Sequence, residues 1–187
     1  MSDDQDVILV DERDNPVGEA GKMDAHQDGG KLHRAFSIFV FNTKGEMMLQ
    51  RRALTKYHAP GIWANTTCSH PFPGEAVSTA AHRRLREEMG FDCELKEMFA
   101  FTYKADVGNG LTEHEFDHVF FGHYDDAPKL NPKEVADWKW VGTAELEKSV
   151  KKNPEQYGPW FRIVLDRVLA ERAKVQVNQK PKTQHRF

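Results

Sequence analysis

The chain has 187 residues, which suits one domain with a sizeable hydrophobic core. Hydrophobic residues make up 39% and charged residues 29% of the sequence, and no apolar run approaches the roughly 18 residues of a membrane span. The formal net charge of −3 argues against binding to nucleic acid, so any anionic ligand must be bound by cations gathered locally.

Short β-like segments are predicted along the chain, separated by Gly, Asn, Pro and Asp residues. They cover residues 7–10, 35–42, 46–51, 98–104, 115–124 and 135–141. The second and third segments are joined by "TKGE", which predicts a hairpin between them.

Three helices are also predicted. The clearest covers residues 76–89, where an apolar residue recurs at every fourth position and Gly90 follows as a C-terminal stop. Two more are expected at 143–151 and 157–173, the second with a broad apolar face. Strands on both sides of a central helix predict an α/β fold in which a mixed sheet packs against helices in layers.

The domain is expected to cover residues 1–173, and residues 174–187 lose periodicity and gain charge, which predicts a mobile C-terminal tail. The acidic start lacks the basic region of a signal peptide, so a cytoplasmic location is expected. Cys68 and Cys93 offer one possible pair, a poor disulfide framework, and both are expected to be reduced. Cys93 lies in a β-like run and is expected to be a small core residue.

Residues 66–75 read "TTCSHPFPGE", with Cys68 two positions before His70. This spacing leaves four interpretations of the Cys68 segment open: a metal site, a redox element, a catalytic thiol, or a cysteine in a loop. The rest of the chain has to decide between them.

The stretch 69–91, "SHPFPGEAVSTAAHRRLREEMGF", resembles the Nudix motif, a loop-helix-loop written G-x5-E-x7-R-E-U-x-E-E-x-G-U with U a bulky apolar residue. The register places the paired glutamates of the motif on Glu87 and Glu88. Ser69 replaces the first glycine, and Arg84 replaces the glutamate that follows the arginine. Because a cation stands where a Nudix hydrolase has a magnesium ligand, Arg84 argues against ordinary hydrolysis and suggests a phosphate contact. The alternative is an ordinary charge pairing on a solvated helix face.

Histidines and glutamates supply a second set of candidate ligands. They are His26, His33, His70, Glu113 and Glu115. The two glutamates lie two positions apart at the start of a predicted strand, so both project from one face. Five such groups suit octahedral Mn²⁺ or Mg²⁺ better than structural Zn²⁺. A single histidine is more often a hydrogen-bonded or surface residue than a ligand, so the spacing alone leaves both readings open.

Five segments together resemble type 1 isopentenyl-diphosphate isomerase: "HRAFSIFVFN", "LQRRALTKYHAPGIWANTTCSHP", "REEMG", "TEHEFDH" and "GPWF". The resemblance runs from about Val7 to about Leu169 and keeps the order and spacing of the segments. It implies a Nudix-like α/β/α sandwich. It also implies an enzyme that interconverts isopentenyl and dimethylallyl diphosphate by protonating one carbon and deprotonating another.

The resemblance further implies roles for individual residues. Cys68 would be the acid/base on one face of the substrate, and Glu115, assisted by Tyr103, would work on the other. The five histidines and glutamates would bind Mn²⁺, Mg²⁺ or Zn²⁺, and Glu88 would bind a second ion, Mg²⁺, that arrives with the diphosphate. The implied diphosphate contacts are Lys22, Arg52, Lys56, Ser69 and Arg84. Trp160 would stabilise positive charge on the substrate, although by pattern alone it is an aromatic core residue.

Two other functions compete with the isomerase. One is a Nudix hydrolase of a nucleoside diphosphate derivative, against which Arg84 counts. The other is a Nudix-fold module that binds phosphorylated ligands, against which the retention of Cys68, Glu115 and the metal ligands counts. The expected partner is a small isoprenoid diphosphate, with no nucleic acid and no membrane, and the chain is expected to be a monomer or weak homodimer.

Overall fold

The computed structural model describes residues 5–56 and 59–179, and within them the chain forms nine strands and four α-helices. The strands β1 to β9 span Asp6–Val10, Pro16–Gly21, His33–Phe41, Met47–Arg52, Trp63–Ala64, Thr67–Ser69, Leu95–Gly108, Leu111–His123 and Val135–Val141. The helices α1 to α4 span Lys22–His26, Val77–Met89, Thr143–Lys152 and Pro159–Gln179, and a 3-10 helix covers Pro154–Gln156.

Strand β3 is the centre of a mixed sheet. One of its edges pairs in parallel with β8 over the whole length of β3, from His33 beside Glu115 to Phe41 beside His123. The other edge pairs antiparallel with β1, β6 and β4 in turn. Strand β7 extends the sheet beyond β8, while β5 and β9 pair with β4.

Both faces of β3 are buried, because alternate residues of a strand point to opposite sides of the sheet. On one side, Phe36 and Ile38 of β3 share a core with Leu85 of α2. On the other, Phe39 shares a core with Phe161 of α4, and the two rings are stacked with their centroids 6.2 Å apart. The predicted single α/β domain with an α/β/α layer arrangement is therefore confirmed.

The predicted strands and helices are all present, with ends that differ by a few residues. Gly90 follows α2 in the left-handed conformation, with φ of 71°, as its role as a stop requires. The predicted hairpin is wrong beyond its turn. β3 and β4 share one pair, Phe41 with Met47, after which β4 leaves β3 to pair with β9.

Several short elements were not predicted: β2, α1, β5 and β6. Each is too short or too exposed to show a periodic pattern of apolar residues from which it could be predicted, and β5 is only two residues long. Helix α4 continues to Gln179, past residue 174 where the tail is expected to begin, because no proline interrupts the chain between residue 174 and Pro181. The mobility of the tail stays a prediction. Residues 180–187 lie outside the described residues. No helix in the described ranges is long and apolar enough to cross a membrane.

The stacked contact between α4 and β3 generates a stability prediction. Phe161 is fully buried, whereas Ile163 on the same helix is 49% exposed. We expect Phe161→Ala to lower the free energy of unfolding by about 3–5 kcal/mol, because it leaves a cavity between helix and sheet. Ile163→Ala is the matched control and should cost less than about 1 kcal/mol. Urea unfolding of both variants measures the difference, and equal losses would contradict this account of the core.

Candidate active site

The face of β3 and β8 that packs on α4 is apolar at one end of the strands and polar at the other. Towards their C-terminal ends it is apolar, as with Phe39 and Val119. Towards their N-terminal ends the same face carries buried polar residues, namely His33, Ser37, Glu113, Glu115 and Asp117. The glutamates reach a cleft that is also lined by residues of α1, β4, β6, β7, α2 and α4.

Three imidazoles and one carboxylate converge beside this cleft. Donor atoms of His26, His33, His70 and Glu115 all lie within 4.8 Å of one another, and all four residues are buried. Nε2 of His70 lies 3.1 Å from Nε2 of His33 and 3.0 Å from Oε1 of Glu115. These residues come from the end of α1, the start of β3, the segment after β6 and the middle of β8. The structure thus gathers four of the five predicted ligands at one point.

The turn between α1 and β3 brings the first two histidines together. Asp28, Gly29 and Gly30 adopt positive φ angles of 51°, 84° and 74° in succession. A Cβ atom at Gly30 would lie 2.8 Å from the carbonyl oxygen of Thr112, so a side chain is excluded there as well as strained. The turn lets the two imidazole rings approach to 4.8 Å between centroids.

Backbone contacts select the tautomers of these two histidines. Nδ1 of His26 lies 2.7 Å from the carbonyl oxygen of Lys22, and Nδ1 of His33 lies 2.8 Å from that of Lys31. Because a carbonyl oxygen only accepts, both Nδ1 atoms carry a proton, and in the neutral form of each ring Nε2 presents a lone pair to the cluster. This is the usual support of metal-bound imidazole, so the donor set fits a divalent metal ion.

The electrostatics of the cluster agree with that assignment. Burial lowers the pKa of His26 and lowers the pKa of His70 to about 3, so both rings are neutral near neutral pH. Burial by itself raises the pKa of Glu115, but the neighbouring imidazoles of His33 and His70 hold that pKa well below its usual range. Neutral imidazole and ionised carboxylate are the forms that bind a metal.

Glu113, the fifth predicted ligand, lies outside this four-residue cluster. Tyr103 connects it to the cluster, since the tyrosine hydroxyl lies 3.0 Å from Oε2 of Glu113 and 2.7 Å from Oε2 of Glu115. Tyr103 is opposite Glu115 in the β7–β8 ladder, which puts the hydroxyl between the two carboxyl groups. Burial, followed by the charge on Glu115, raises the pKa of Glu113 well above its usual range.

Cys68 lies in strand β6 rather than in a loop, opposite Ser37 of β3. Its thiol donates to Oδ1 of Asn65 at 2.9 Å. Ser37 Oγ lies 3.6 Å from the sulfur and donates to Oδ2 of Asp117 at 2.8 Å. Burial, followed by the charge on Asp117, raises the pKa of the Cys68 thiol well above its usual range, so the thiol is protonated. Cys93 is also a free thiol, and it lies partly buried against the core under α2, just before β7, rather than inside the core as expected.

Asn65 orients the thiol, a role that was not predicted from the sequence. The residue is fully buried, and its amide nitrogen donates to the carbonyl oxygens of Ile38 at 3.2 Å and Thr67 at 3.0 Å. With both amide protons used, Oδ1 must point at Cys68. The sequence carries no signal for this role beyond the closeness of Asn65 to Cys68.

The predicted diphosphate contacts line the same cleft. They are Lys22, Arg52, Lys56, Ser69 and Arg84. Arg84 pairs with Glu88 at 2.6 Å and with Glu87 at 2.9 Å, so the expected helix charge pairs do form. The face is not solvated, however, because Arg84 is 6% and Glu88 is 4% exposed, and both line the cleft.

Trp160 is a core residue that also lines the cleft. The residue is 4% exposed and belongs to the core around α4, and it also lines the cleft. The guanidinium carbon of Arg52 lies 5.4 Å from the ring centroid, so a cation already sits near the indole face.

Two further polar residues of the cleft were missed. Gln50 donates through Nε2 to Oε2 of Glu88 at 2.9 Å and to the carbonyl oxygen of Thr66 at 2.9 Å. The sequence does give a signal for Gln50, because it is a polar residue that follows three apolar residues in the segment 46–51. Glu134, before β9, also lines the cleft, but a charged residue between a proline turn and a strand gives no such signal.

Comparison with known proteins gives consistent results. A family model described as NUDIX domain matches residues 31–162. Isopentenyl-diphosphate Delta-isomerase 2 of Aromatoleum aromaticum is 60% identical over 89% of this chain and 88% of its own length. A protein of the same description from Photorhabdus laumondii is 52% identical over 87% of this chain and 92% of its own length.

Among solved structures, a Deinococcus radiodurans protein aligns with a TM-score of 0.73 at 20% identity over 87% of this chain and 98% of its own. A MutT protein from Methanosarcina mazei aligns with a TM-score of 0.61 at 21% identity, over 75% and 94%. At that identity the two structures support the fold alone.

The ligand cluster predicts that metal binding depends on His33. We expect His33→Ala to weaken Mn²⁺ binding at least about 100-fold, because it removes a preoriented nitrogen donor from a buried site. His123→Ala, at the exposed end of the same sheet, is the control and should bind Mn²⁺ like the unchanged protein. Equilibrium dialysis with elemental analysis measures both. Equal Mn²⁺ retention by the two variants would contradict the metal site.

Proposed function

The chain belongs to the isopentenyl-diphosphate Delta-isomerase family and contains a NUDIX domain, and we propose that it interconverts isopentenyl and dimethylallyl diphosphate by metal-dependent proton transfer. One observation supports the proposal most directly. Cys68, the Glu115–Tyr103 pair and a group of cations line a single cleft. The relatives that match most of this chain are named as isomerases of this kind.

The reaction needs two proton-transfer groups. An unactivated alkene is a weak base, so its protonation requires a strong local acid and a site that tolerates positive charge. A proton must then leave a different carbon, after which the hydrocarbon is neutral again. We assign these transfers to Cys68 on one side and to Glu115, assisted by Tyr103, on the other. Because the reaction is reversible, each group is an acid in one direction and a base in the other.

The protonated state of the thiol supports this pairing. Cys68 holds a proton that it donates to Asn65, while Glu115 is held as a carboxylate by two imidazoles. One protonated and one ionised group in the same cleft are the two partners that a proton relocation requires.

We assign a divalent ion to the histidine cluster. Mn²⁺ or Mg²⁺, or alternatively Zn²⁺, would be held by His26, His33, His70 and Glu115, with Glu113, which Tyr103 connects to Glu115, as the fifth ligand. Such an ion would withdraw charge from the Glu115 carboxylate and thereby tune its proton affinity. We assign a second ion, Mg²⁺, to Glu88, which lines the cleft and whose carboxylate is oriented by Gln50 and Arg84.

The remaining residues would hold the substrate. Lys22, Arg52, Lys56, Ser69 and Arg84 provide the cations and the hydroxyl donor that a diphosphate requires. The diphosphate does not react, so its binding energy positions the hydrocarbon between Cys68 and Glu115. Trp160 would stabilise positive charge on the hydrocarbon, and the guanidinium of Arg52 near its ring supports that use of the indole face.

A hydrolase of nucleoside diphosphate derivatives is the less favoured function. Arg84 pairs with Glu87 and Glu88 where the Nudix motif has a further carboxylate, which removes a negative ligand from the magnesium cage. A binding module without activity would have no use for a buried, oriented thiol. We further propose that the protein is a cytoplasmic monomer or weak homodimer that acts on a small isoprenoid diphosphate and binds neither nucleic acid nor membranes.

The proposed function predicts a specific product. Incubation of the protein with isopentenyl diphosphate and Mg²⁺ should yield an acid-labile allylic diphosphate, and chelation of divalent ions should stop the reaction. Acid lability of radiolabelled product measures the conversion. Release of phosphate or of a nucleoside monophosphate from nucleoside diphosphate derivatives, without allylic product, would favour the hydrolase instead.

The role of Cys68 predicts a selective loss of catalysis. We expect Cys68→Ala to lower the turnover number by roughly 10²–10⁴-fold or more, because it removes one of the two proton-transfer groups while diphosphate contacts remain. Solvent deuterium should enter recovered substrate and product only when Cys68 is present, as mass spectrometry can show.

Cys93→Ala is the matched control for this experiment. The Cys93 side chain packs beside the core under α2, so its loss should cost some stability and spare the rate per folded molecule. Near-normal isomerisation by Cys68→Ala would reject the acid/base assignment.

A further inference from the structure

The cations assigned to the diphosphate have an acidic neighbour in the same cleft. Glu134 lies just before β9, and its side chain is only 10% exposed. Its Oε2 atom contacts Nζ of Lys56 and lies 3.4 Å from a terminal nitrogen of Arg84. One carboxylate oxygen therefore touches two cations that come from different elements, the loop after β4 and helix α2.

The backbone around Glu134 reinforces this contact. Its carbonyl oxygen accepts a hydrogen bond from the amide of Ala53 at 3.0 Å, and the amide of Lys56 donates to Ala53 at 3.2 Å. Its own amide and that of Val135 donate to the carbonyl oxygen of Asn131 at 3.0 and 2.9 Å. Glu134 is thus built into a turn that is tied to the Lys56 loop at both backbone and side chain.

The positive charges of Lys56 and Arg84 explain why an acidic residue is needed between them. Lys56 and Arg84 carry like charges and converge on one point, where they repel each other unless an anion lies between them. Arg84 is already held by Glu87 and Glu88, but a lysine side chain is long and flexible and turns to water when nothing retains it. Burial by itself raises the pKa of Glu134, yet its hydrogen bond with Lys56 and the charge on Arg84 hold that pKa below its usual value, so the carboxylate is ionised.

We propose that Glu134 is a positioning residue of the diphosphate subsite, whose carboxylate clamps Lys56 beside Arg84 so that both cations face the ligand. The inference rests on the proposed function, because it takes the ligand to be a diphosphate ester. Glu134 acts through the two cations and takes no part in proton transfer. Its loss therefore weakens ligand binding and leaves the chemical step intact.

A different role for Glu134 would change diphosphate binding in the opposite direction. If Glu134 were only a resident anion that the ligand must displace, then its removal would make the subsite more positive and tighten diphosphate binding. Weaker diphosphate binding after removal of the Glu134 charge would therefore support the clamp, whereas tighter binding would show that Glu134 competes with the ligand.

The test uses Glu134→Gln, which keeps the shape of the side chain and removes its charge. We expect the Kd for inorganic diphosphate with Mg²⁺, measured by titration calorimetry, and the KM for isopentenyl diphosphate each to rise about tenfold, while kcat stays within about twofold. Glu155→Gln is the matched control, because it removes an exposed carboxylate and should leave all three values unchanged. Should Glu134→Gln not fold, Glu134→Asp keeps the charge but withdraws it from Lys56, and we expect a smaller rise in Kd.

A double-variant cycle tests the route through Lys56. If Glu134 acts by holding Lys56, then Lys56→Ala combined with Glu134→Gln should bind diphosphate little more weakly than Lys56→Ala alone. Fully additive losses would overturn the proposal, as would a Kd for Glu134→Gln that is unchanged or lower. A wild-type protein that neither binds inorganic diphosphate nor isomerises its ester would reject the proposed function itself, and the clamp with it.

Discussion

The parallel register of β3 on β8 is the constraint on which the site depends. It sets His33 beside Glu115 at one end of the pair and Phe39 beside Phe121 at the other. Because side chains alternate with a period of two, a slip of one residue would turn Glu115 into the core under α2 and expose an apolar residue to the cleft. The apolar ends of the two strands pack against α4 and so hold the polar ends in register. Packing in one half of the sheet thereby determines geometry in the other.

Burial of so many polar groups has a cost that the site offsets by pairing them. Imidazole rings donate to backbone carbonyls, Tyr103 bridges two carboxyl groups, and Arg84 is surrounded by acids. A buried charge that lost its partner would be strongly destabilising, so each of these groups has to keep its contact in the folded protein. The result is a neutral imidazole on His26 and on His70, an ionised Glu115 and a protonated Cys68 thiol, which are the states that the proposed metal binding and proton transfer require.

The architecture by itself does not identify the chemistry of this site. Solved structures at about 20% identity share the architecture, including one described as a MutT protein, and fold alone does not imply function. Here the helix α2 keeps the paired acids of the Nudix motif but carries Arg84 among them. The thiol of Cys68 on β6 and members of the imidazole cluster line the same cleft. These side chains, rather than the sandwich itself, support the proposed proton transfer over hydrolysis.

The sequence by itself determined the features that depend on neighbours along the chain. The helix at 76–89 with its stop at Gly90, the six main strands and the alternation that puts Glu113 and Glu115 on one face all follow from local periodicity and turn chemistry. Residue roles came from a resemblance that spans most of the chain. Only the tertiary structure decided what depends on distant contacts. It separated β3 from β4 after the turn, left Glu113 outside the four-ligand cluster, aimed Asn65 at the thiol and tied Glu134 to Ala53. Such pairings are set by register and packing between segments far apart in sequence, and no local pattern carries them.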